Sequence, residues 1–199
     1  MLSVTLQKNK RNYLVYNEWR KQLFLSNAPK DASVILYLLP WMLSVNAPSI
    51  PGFVEDLKKP FKVSHLDGSR DILDREHQFK KNFGIDDERF SVRYSYGDVD
   101  ILGIYTIGSA GTISQTSRSD CDIWICIDKR EYDEKKLQFL NQKLNMIKGW
   151  LDEHIKMPVY FFLTDVTDIR ECKFGNIDFE SSGSTQKNIL KEEFYRTTI

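Results

Sequence analysis

The chain has 199 residues, and its 28 lysines and arginines balance 28 aspartates and glutamates, so the formal charge is zero. Apolar residues make up 41% and aromatic residues 13%, enough for a packed core and too much for wholesale disorder. The neutral balance argues against a nucleic-acid-binding protein, because binding to a phosphate backbone needs a basic surface. The sequence contains no apolar run of membrane-spanning length, and no signal-peptide core follows the N-terminus.

The cysteines favour a reducing environment. Cys121, Cys126 and Cys172 form neither an even disulfide framework nor a CxxC pair. This pattern predicts a cytoplasmic protein and disfavours a structural zinc site. We expect Cys121 and Cys126 to be small residues packed in the core.

The N-terminal half is predicted to be helical. Between about residues 12 and 45, apolar and aromatic residues recur at three- and four-residue steps, with an interruption at 26–29. This pattern indicates a helical hairpin that packs on a larger body. Pro40 should end or kink the second helix, and residues 47–52 have the composition of a loop. A short helix is expected from about residue 71 to residue 83.

The C-terminal half is predicted to form a sheet with a crossing helix. Residues 101–107 are apolar and β-prone, and residues 120–128 (DCDIWICID) alternate as a second strand. A helix follows over 132–154, because leucine and isoleucine recur there on one stripe. Residues 159–164 (VYFFLT) predict a third strand that ends at Asp165.

These patterns together predict an α+β protein. Residues 1–90 would form an N-terminal helical segment packed on the core, and residues 91–199 a mixed β-sheet with flanking helices. Residues 173–184 have the composition of a loop. The segment from residue 188 has a helical pattern that stops abruptly, so we expect the core to be incomplete at its C-terminus.

The segment most informative about chemistry is residues 105–128, YTIGSAGTISQTSRSDCDIWICID. Side chains two apart on a strand point the same way, so Asp120 and Asp122 should converge. Two adjacent carboxylates repel unless a cation lies between them, and oxygen-only ligands suit Mg²⁺ or Mn²⁺. Gly108 allows a close backbone approach, and nearby hydroxyl groups could bind phosphate: Ser109, Thr112, Ser114, Ser117 and Ser119. A metal site beside a phosphate cradle indicates nucleoside triphosphate chemistry.

Simpler explanations stay open for these residues. An Asp-x-Asp pair on a strand edge is often only a solvated face, and Gly-Ser turns are common. Trp124 follows the pair on the same face, where it could stack on an adenine or pack against the helix. Arg118 could meet a phosphate or be solvated.

A third carboxylate is normally needed beside such a pair, and Asp165 is our first choice. It lies at the end of the third strand, where a neighbouring strand could bring it toward the pair; alternatively it is a solvated residue that begins a turn. Asp168, Asp178 and Glu180 are the other candidates. Asp128 lies too far along the second strand and is expected to be a turn residue.

The joint pattern resembles the signature of the nucleotidyltransferase superfamily, which has the polymerase-β-like fold. An apolar residue and Gly-Ser are followed, after ten residues, by Asp-x-Asp flanked by Ile and Trp. More specifically, GSAGTISQTSRSDCDIWIC, VYFFLTDVTDIR and SSGSTQKNILKEEFYRT resemble the N-terminal catalytic region of class I adenylate cyclases. YLLPWMLSVNAPSIPGF is similar to that family's lead-in helices, so the resemblance covers almost the whole chain.

The resemblance implies a nucleotidyltransferase-like sheet and a bacterial enzyme that converts ATP to cyclic AMP and pyrophosphate with two divalent cations. It implies that Asp120 and Asp122 bind metal and that Gly108 and Ser109 hold the β- and γ-phosphates. Ser184 and Lys187 would belong to a second ligand-facing loop. The implied partners are ATP, a downstream regulatory region and a protein of the sugar phosphotransfer system.

Two other functions stay open at this point. The same metal site could move AMP to another acceptor, and a regulatory domain could keep the fold without the activity. Family members are several times longer than 199 residues, and their remaining phosphate-binding lysines and arginines would lie downstream. We therefore expect these residues alone to bind nucleotide weakly and to turn over little or no ATP.

Overall fold

The computed structural model describes residues 2–94 and 97–171. Its helices are α1 (Leu2–Asn27), α2 (Pro29–Ser33), α3 (Leu39–Ser44), α4 (Arg70–Asn82), α5 (Glu134–His154) and α6 (Val166–Arg170). Its strands are β1 (Gly103–Ile107), β2 (Cys121–Ile127) and β3 (Val159–Asp165). Helices and one small sheet make up the described fold, which is the predicted α+β class. Within the described residues, the helices include none that is both long and apolar enough to cross a membrane.

The three strands form one mixed sheet in the order β1-β2-β3. β1 and β2 are antiparallel neighbours, whereas β2 and β3 are parallel. A parallel pair needs a long crossover connection, which α5 supplies. The alternation predicted for β2 is confirmed, because Ile123 and Ile125 face the main core while Trp124 and Cys126 face a smaller apolar cluster on the other side of the sheet. Cys121, in the main core, is also buried, as predicted.

The crossover helix α5 agrees with its sequence pattern. Asp133 caps its N-terminus, where the Asp133 carboxylate accepts a 2.7 Å hydrogen bond from the Lys136 backbone N–H. The stripe of apolar residues packs into the main core through Leu140, Leu144, Ile147 and Leu151. Helix α4 likewise occupies the segment predicted for a short helix.

The N-terminal helices differ from expectation in two places. α1 begins at Leu2, about ten residues before the predicted start, although the predicted interruption near Pro29 is confirmed by the break at Ala28. The predicted end of the helix at Pro40 is wrong, because α3 continues past it to Ser44, whereas the alternative of a kink at Pro40 stays a prediction. One turn of π-helix (Val34–Leu38) precedes α3, and the backbone stays helical across the junction, so Pro40 lies within a continuous helical segment.

One hydrophobic core joins the two halves of the described chain. Trp41 and Phe79 from the N-terminal helices belong to the same cluster as Ile125 and Ile147 from the sheet and α5. The domain boundary near residue 90 stays a prediction. The loop expected over 173–184 and the helix expected from residue 188 lie outside the described residues.

A buried lysine ties the predicted 47–52 loop to α5. The Lys143 side chain has no exposed surface, and its Nζ donates to the backbone oxygens of Val45 (2.8 Å) and Gly52 (2.9 Å). Gly52 has φ +87°, and a Cβ atom there would lie 2.8 Å from Ile147 Cγ1, so this close approach requires glycine. Burial lowers the pKa of Lys143 to about 7.

This buried amine predicts a pH-dependent stability. The folded-state pKa of Lys143 lies below the unfolded value, so the unfolded chain binds more protons between about pH 7 and pH 10 and stability rises with pH there. Between pH 7 and pH 9, the free energy of unfolding should rise by about 2 kcal/mol more for the wild type than for Lys143→Met. Urea melts of both proteins at pH 7, 8 and 9 measure this difference. Parallel pH profiles would contradict it.

Candidate functional site

The Gly-Ser turn and the aspartate pair lie at one edge of the sheet. In the antiparallel β1–β2 pair, Ile107 is opposite Asp122. Gly108 and Ser109 follow Ile107 directly, while Asp120 lies just before β2 begins. The end of β1 and the start of β2 therefore bring the Gly-Ser turn beside the two carboxylates, as a phosphate cradle next to a metal site requires.

Gly108 is needed at the start of the turn for its backbone conformation. Its φ is +93°, in a region that residues with a side chain rarely adopt. No atom lies within 4 Å of the position that a Cβ atom would take. The backbone of Gly108 therefore borders open space, which a ligand could approach.

The two carboxylates differ in exposure but share one neighbourhood. Asp120 is exposed and Asp122 is half-buried. Burial raises the pKa of the Cys121 thiol, and the negative charges of Asp122 and Asp120 raise it further. Within the described residues, the Asp120 carboxylate has no ion-pair or hydrogen-bond partner. The site is therefore electronegative, and a cation would be attracted to it.

The rest of the turn is ordered by its own polar groups. The Ser109 backbone oxygen accepts hydrogen bonds from the Thr112 N–H (3.0 Å) and the Thr112 hydroxyl (2.7 Å). The Ser119 hydroxyl oxygen accepts from the Thr116 N–H at 2.9 Å, so Ser119 closes the end of the turn. Several of the predicted phosphate-binding hydroxyls thus hold the shape of the turn. The Ser119 O–H can still act as a donor.

The sequence allows two roles each for Arg118 and Trp124, and the structure places these two side chains differently. Arg118 is exposed beside Asp120, so it is available to a ligand. Trp124 is only 4% exposed and packs in the small cluster with Cys126 and Ile169. For Trp124 the structure therefore shows the packing alternative, and a stacking contact with adenine would require the indole to become uncovered.

The placement predicted for Asp165 beside the aspartate pair is wrong. In the parallel β2–β3 register, Asp122 is opposite Tyr160 whereas Asp165 is opposite Ile127. Five residues of strand separate the two levels, about 16 Å at about 3.3 Å per residue. Asp165 lies at the other end of the sheet, because parallel strands have their C-terminal ends at the same edge.

Asp165 has a structural role at that end. Its Oδ1 accepts from the Thr167 N–H (2.6 Å) and its Oδ2 from the Lys129 N–H (2.9 Å), so it caps α6 and fixes the turn after β2. Burial by itself would raise the pKa of Asp165, but the hydrogen bonds from these backbone donors lower it. Asp168 lies there too and pairs with Lys129 at 3.7 Å. Asp128 is a turn residue, as predicted, and the Arg130 guanidinium lowers its pKa to about 2.

The remaining predicted residues fall outside the described part of the chain. Ser184 and Lys187, expected in a second ligand-facing loop, lie there, as do the alternative acids Asp178 and Glu180. Within the described residues, no group of three or more histidine, cysteine or acidic residues could hold a metal ion together. The described site therefore offers two carboxylates and no third.

This donor set fits Mg²⁺ or Mn²⁺ in one specific way. Mg²⁺ in phosphate-transferring proteins is commonly held by one or two carboxylates, with the substrate's phosphates and water as its other ligands. Asp120 and Asp122 would supply the carboxylates, and the turn beginning at Gly108 would lie on the phosphate side. The residues present suit a cation that arrives with a nucleotide better than one held by protein alone.

A buried arginine below the turn was not identified from the sequence. Arg20 on α1 has no exposed surface, and its Nη2 donates to the backbone oxygen of Ala110 in the turn. The available signal was its spacing, because Arg20 precedes the buried Phe24 by one helical turn and so lies on the same helix face.

A cavity of about 520 Å³ borders the far part of the turn. Thr116, Ser117 and Ser119 line it together with Lys30 and Lys156. Hydroxyl and ammonium groups could bind an anion there, although the Asp31 carboxylate also lines the cavity. This cavity is therefore a second location where a phosphate group could bind near the turn.

The described structure defines an α+β protein with a paired-carboxylate site beside a Gly-Ser turn, and its sequence matches one family along nearly its whole length. The family model described as the adenylate cyclase NT domain matches residues 5–199. The chain therefore belongs to the family of adenylate cyclase N-terminal domains.

The relatives with the most similar sequences include bacterial proteins named adenylate cyclase. The protein from Proteus mirabilis is 32% identical over 162 residues, covering 81% of this chain and 18% of that protein. The protein from Haemophilus influenzae is 32% identical over 177 residues, covering 83% of this chain and 20% of that protein. The Escherichia coli K12 protein is 29% identical over 163 residues, covering 81% and 18%.

The chain thus spans about a fifth of the length of these relatives. No solved structure matches it significantly.

Proposed function

We propose that this chain is the nucleotide-binding part of an adenylate cyclase, which converts ATP to 3′,5′-cyclic AMP and pyrophosphate. The single observation that supports this most is the β1–β2 register, which puts Gly108 and Ser109 beside Asp120 and Asp122. The order of strand, Gly-Ser turn, Asp-x-Asp strand, crossover helix and strand is also what a nucleotidyltransferase-like core would have.

In this proposal each part of the site has a distinct task. Asp120 and Asp122 would hold two divalent cations, Mg²⁺ or Mn²⁺, which would lower the pKa of the attacking 3′-hydroxyl and neutralise the triphosphate. The backbone amides of Gly108 and Ser109 and the Ser109 hydroxyl hold the β- and γ-phosphates. Arg118 and Ser119 are further donors at the rim. Fixed donors of this kind act on developing charge without reorganisation, which is why they are effective in catalysis.

The whole enzyme would need more than the described residues. Ser184 and Lys187 remain proposed phosphate contacts, and a downstream region would supply further cationic groups and regulation. Its proposed regulator is a protein of the sugar phosphotransfer system, and the proposed location is the bacterial cytoplasm. These parts of the proposal rest on the family resemblance.

One observation favours a second candidate, a nucleotide-responsive domain without catalytic activity. The described residues offer no third carboxylate near the pair, since Asp165 lies about 16 Å away along the sheet. Transfer of AMP to a separate acceptor would use the same pair, so the product must distinguish it from cyclisation.

Two measurements test the proposal. A thermal melt of the 199-residue chain with Mn²⁺-ATP should show a metal-dependent rise in melting temperature, and ATP without metal should give a much smaller rise. In an assay of the longer protein, that is, this chain together with the proposed downstream region, labelled ATP should yield cyclic AMP. Labelled AMP on another acceptor would support transfer, and binding without turnover by the longer protein would support the silent domain. No shift with Mn²⁺-ATP or Mg²⁺-ATP would contradict both cyclisation and AMP transfer and would favour a regulatory domain that binds a protein partner.

A further inference from the structure

Arg20 lies directly beneath the turn that we propose as the phosphate cradle. Its Nη2 donates at 2.5 Å to the backbone oxygen of Ala110, which is itself fully buried. Ala110 follows Ser109 in the chain, so this hydrogen bond links α1 to the part of the turn whose amides are proposed to face the phosphates. The link joins residues 90 positions apart in the sequence.

The positive charge of Arg20 is buried. Within the described residues, no carboxylate pairs with Arg20, and its Nε and Nη1 atoms have no hydrogen-bond partner. The Tyr16 ring, 6.0 Å from the guanidinium carbon, gives a weak cation–π contact. Burial lowers the pKa of Arg20. An unpaired buried cation is strongly destabilising, so its presence needs an explanation.

Unsatisfied polar atoms are concentrated at this interface. Besides the two nitrogens of Arg20, the buried side-chain atoms without a partner in the described part of the chain are Asn17 Oδ1 and Thr106 Oγ1. Asn17 precedes Arg20 by one turn of α1, and Thr106 belongs to β1 just before the Gly-Ser turn. Both residues line one cavity of about 270 Å³ between α1 and β1. In the described part of the chain, the contact between α1 and β1 therefore contains polar atoms that no protein group satisfies.

We propose that Arg20 is a positioning residue for the polyphosphate of the nucleotide. It holds the Ala110 carbonyl, and thereby orients the amides of the turn, while its own charge is compensated only when an anionic polyphosphate occupies the turn. This inference rests on the proposed function. It explains why a neutral chain keeps an unpaired buried guanidinium at this position, because the destabilisation of the free protein is relieved on binding.

The inference makes an unusual prediction for Arg20→Met. Replacing a buried charge by an apolar side chain of similar length is often neutral or stabilising, so the free protein should melt within a few degrees of the wild type. The affinity for Mn²⁺-ATP and for inorganic tripolyphosphate should nevertheless fall at least ~10-fold, since the turn loses the charge-assisted hydrogen bond that holds the Ala110 carbonyl and the positive charge beneath it. Arg20→Lys keeps the charge and should recover part of that loss. A merely structural arginine would instead lower the melting temperature and leave the affinity of the folded protein unchanged.

The test titrates both ligands into wild type, Arg20→Met, Arg20→Lys and two controls, with melting temperatures measured alongside. Arg75→Met is the matched control, because Arg75 lies over the Tyr37 ring and pairs with Asp71 on α4. Asp122→Asn reports on the metal site itself. If wild type binds, Asp122→Asn does not and Arg20→Met binds like Arg75→Met, this inference is overturned while the proposed function stands.

Two further outcomes are decisive. If wild type binds neither ligand, the proposed function fails and the inference fails with it. If Arg20→Met does not fold, Arg20→Lys decides: a several-fold weaker affinity at an unchanged melting temperature supports the inference, and wild-type affinity overturns it.

Discussion

Replacing Asp122 with asparagine should weaken the binding of Mn²⁺ in the presence of ATP at least about 100-fold, or about 2.7 kcal/mol. Asparagine has nearly the same shape as aspartate but lacks the negative charge, so the half-buried site loses attraction for the cation without losing volume. Because Cys121 is buried beside both acids, the change should also lower the raised pKa of its thiol. Titration calorimetry with Mn²⁺ at saturating ATP measures the affinity.

The control for this prediction is Asp168→Asn. Asp168 lies on α6, just beyond the opposite end of the sheet, where it pairs with Lys129 on the surface. Its replacement should leave the affinity for Mn²⁺-ATP unchanged. Equal losses in the two variants, or wild-type affinity in Asp122→Asn, would show that the metal does not bind at the pair.

Replacing Glu76 with alanine should lower the free energy of unfolding by about 4 kcal/mol and the melting temperature by about 10 °C. The Glu76 carboxylate is buried on α4 and accepts three hydrogen bonds: from Trp41 Nε1 (2.9 Å), the Val92 N–H (2.9 Å) and the Ser91 hydroxyl (2.6 Å). Alanine leaves all three donors buried without an acceptor, and each unsatisfied group costs about 1–3 kcal/mol. Urea and thermal melts of the two proteins measure the loss.

Glu76→Gln is the matched variant. Its amide oxygen can still accept from Trp41 and Val92, and the Ser91 hydroxyl can reverse its role and accept from the new amide group. The loss should therefore stay below about half that of Glu76→Ala. If the two variants are equally destabilised, the negative charge matters more than the number of acceptors, and this account of the network is wrong.

The sheet could be predicted because its strands alternate clearly and its turns contain small residues. The isoleucines of β2 fall on one face, and the leucine stripe of α5 matches the helical period. The π-turn before Pro40 could not be predicted, because it depends on how the helix fits against α4 and α5. The start of α1 at Leu2 was also missed, since the first turns of that helix have no apolar stripe.

The main part of the candidate site could be predicted as well. Neighbouring strands joined by a turn are antiparallel, so the end of β1 must meet the start of β2, and Gly108 must lie near Asp122. The prediction for Asp165 was wrong because it did not take into account the direction of β3 relative to β2. β3 returns after a crossover helix and therefore runs parallel to β2, which carries its C-terminal end away from the start of β2.

The buried charged residues were beyond the reach of sequence patterns. Arg20, Glu76 and Lys143 are charged residue types that usually lie on the surface, although their spacing puts them on the buried faces of their helices. Each is buried because a specific backbone oxygen, indole or amide from a distant segment meets it. Such pairings depend on tertiary packing, which single-residue periodicity does not contain.

The most direct test of the central claim is a crystal structure of the chain with Mn²⁺ and a non-hydrolysable ATP analogue. We predict anomalous Mn²⁺ peaks for two cations at the carboxylates of Asp120 and Asp122, with the triphosphate against the backbone of Gly108 and Ser109. Mn²⁺ bound near Asp165, or a triphosphate held by Lys30 and Lys156 in the cavity beside the turn with no metal at the pair, would contradict the account.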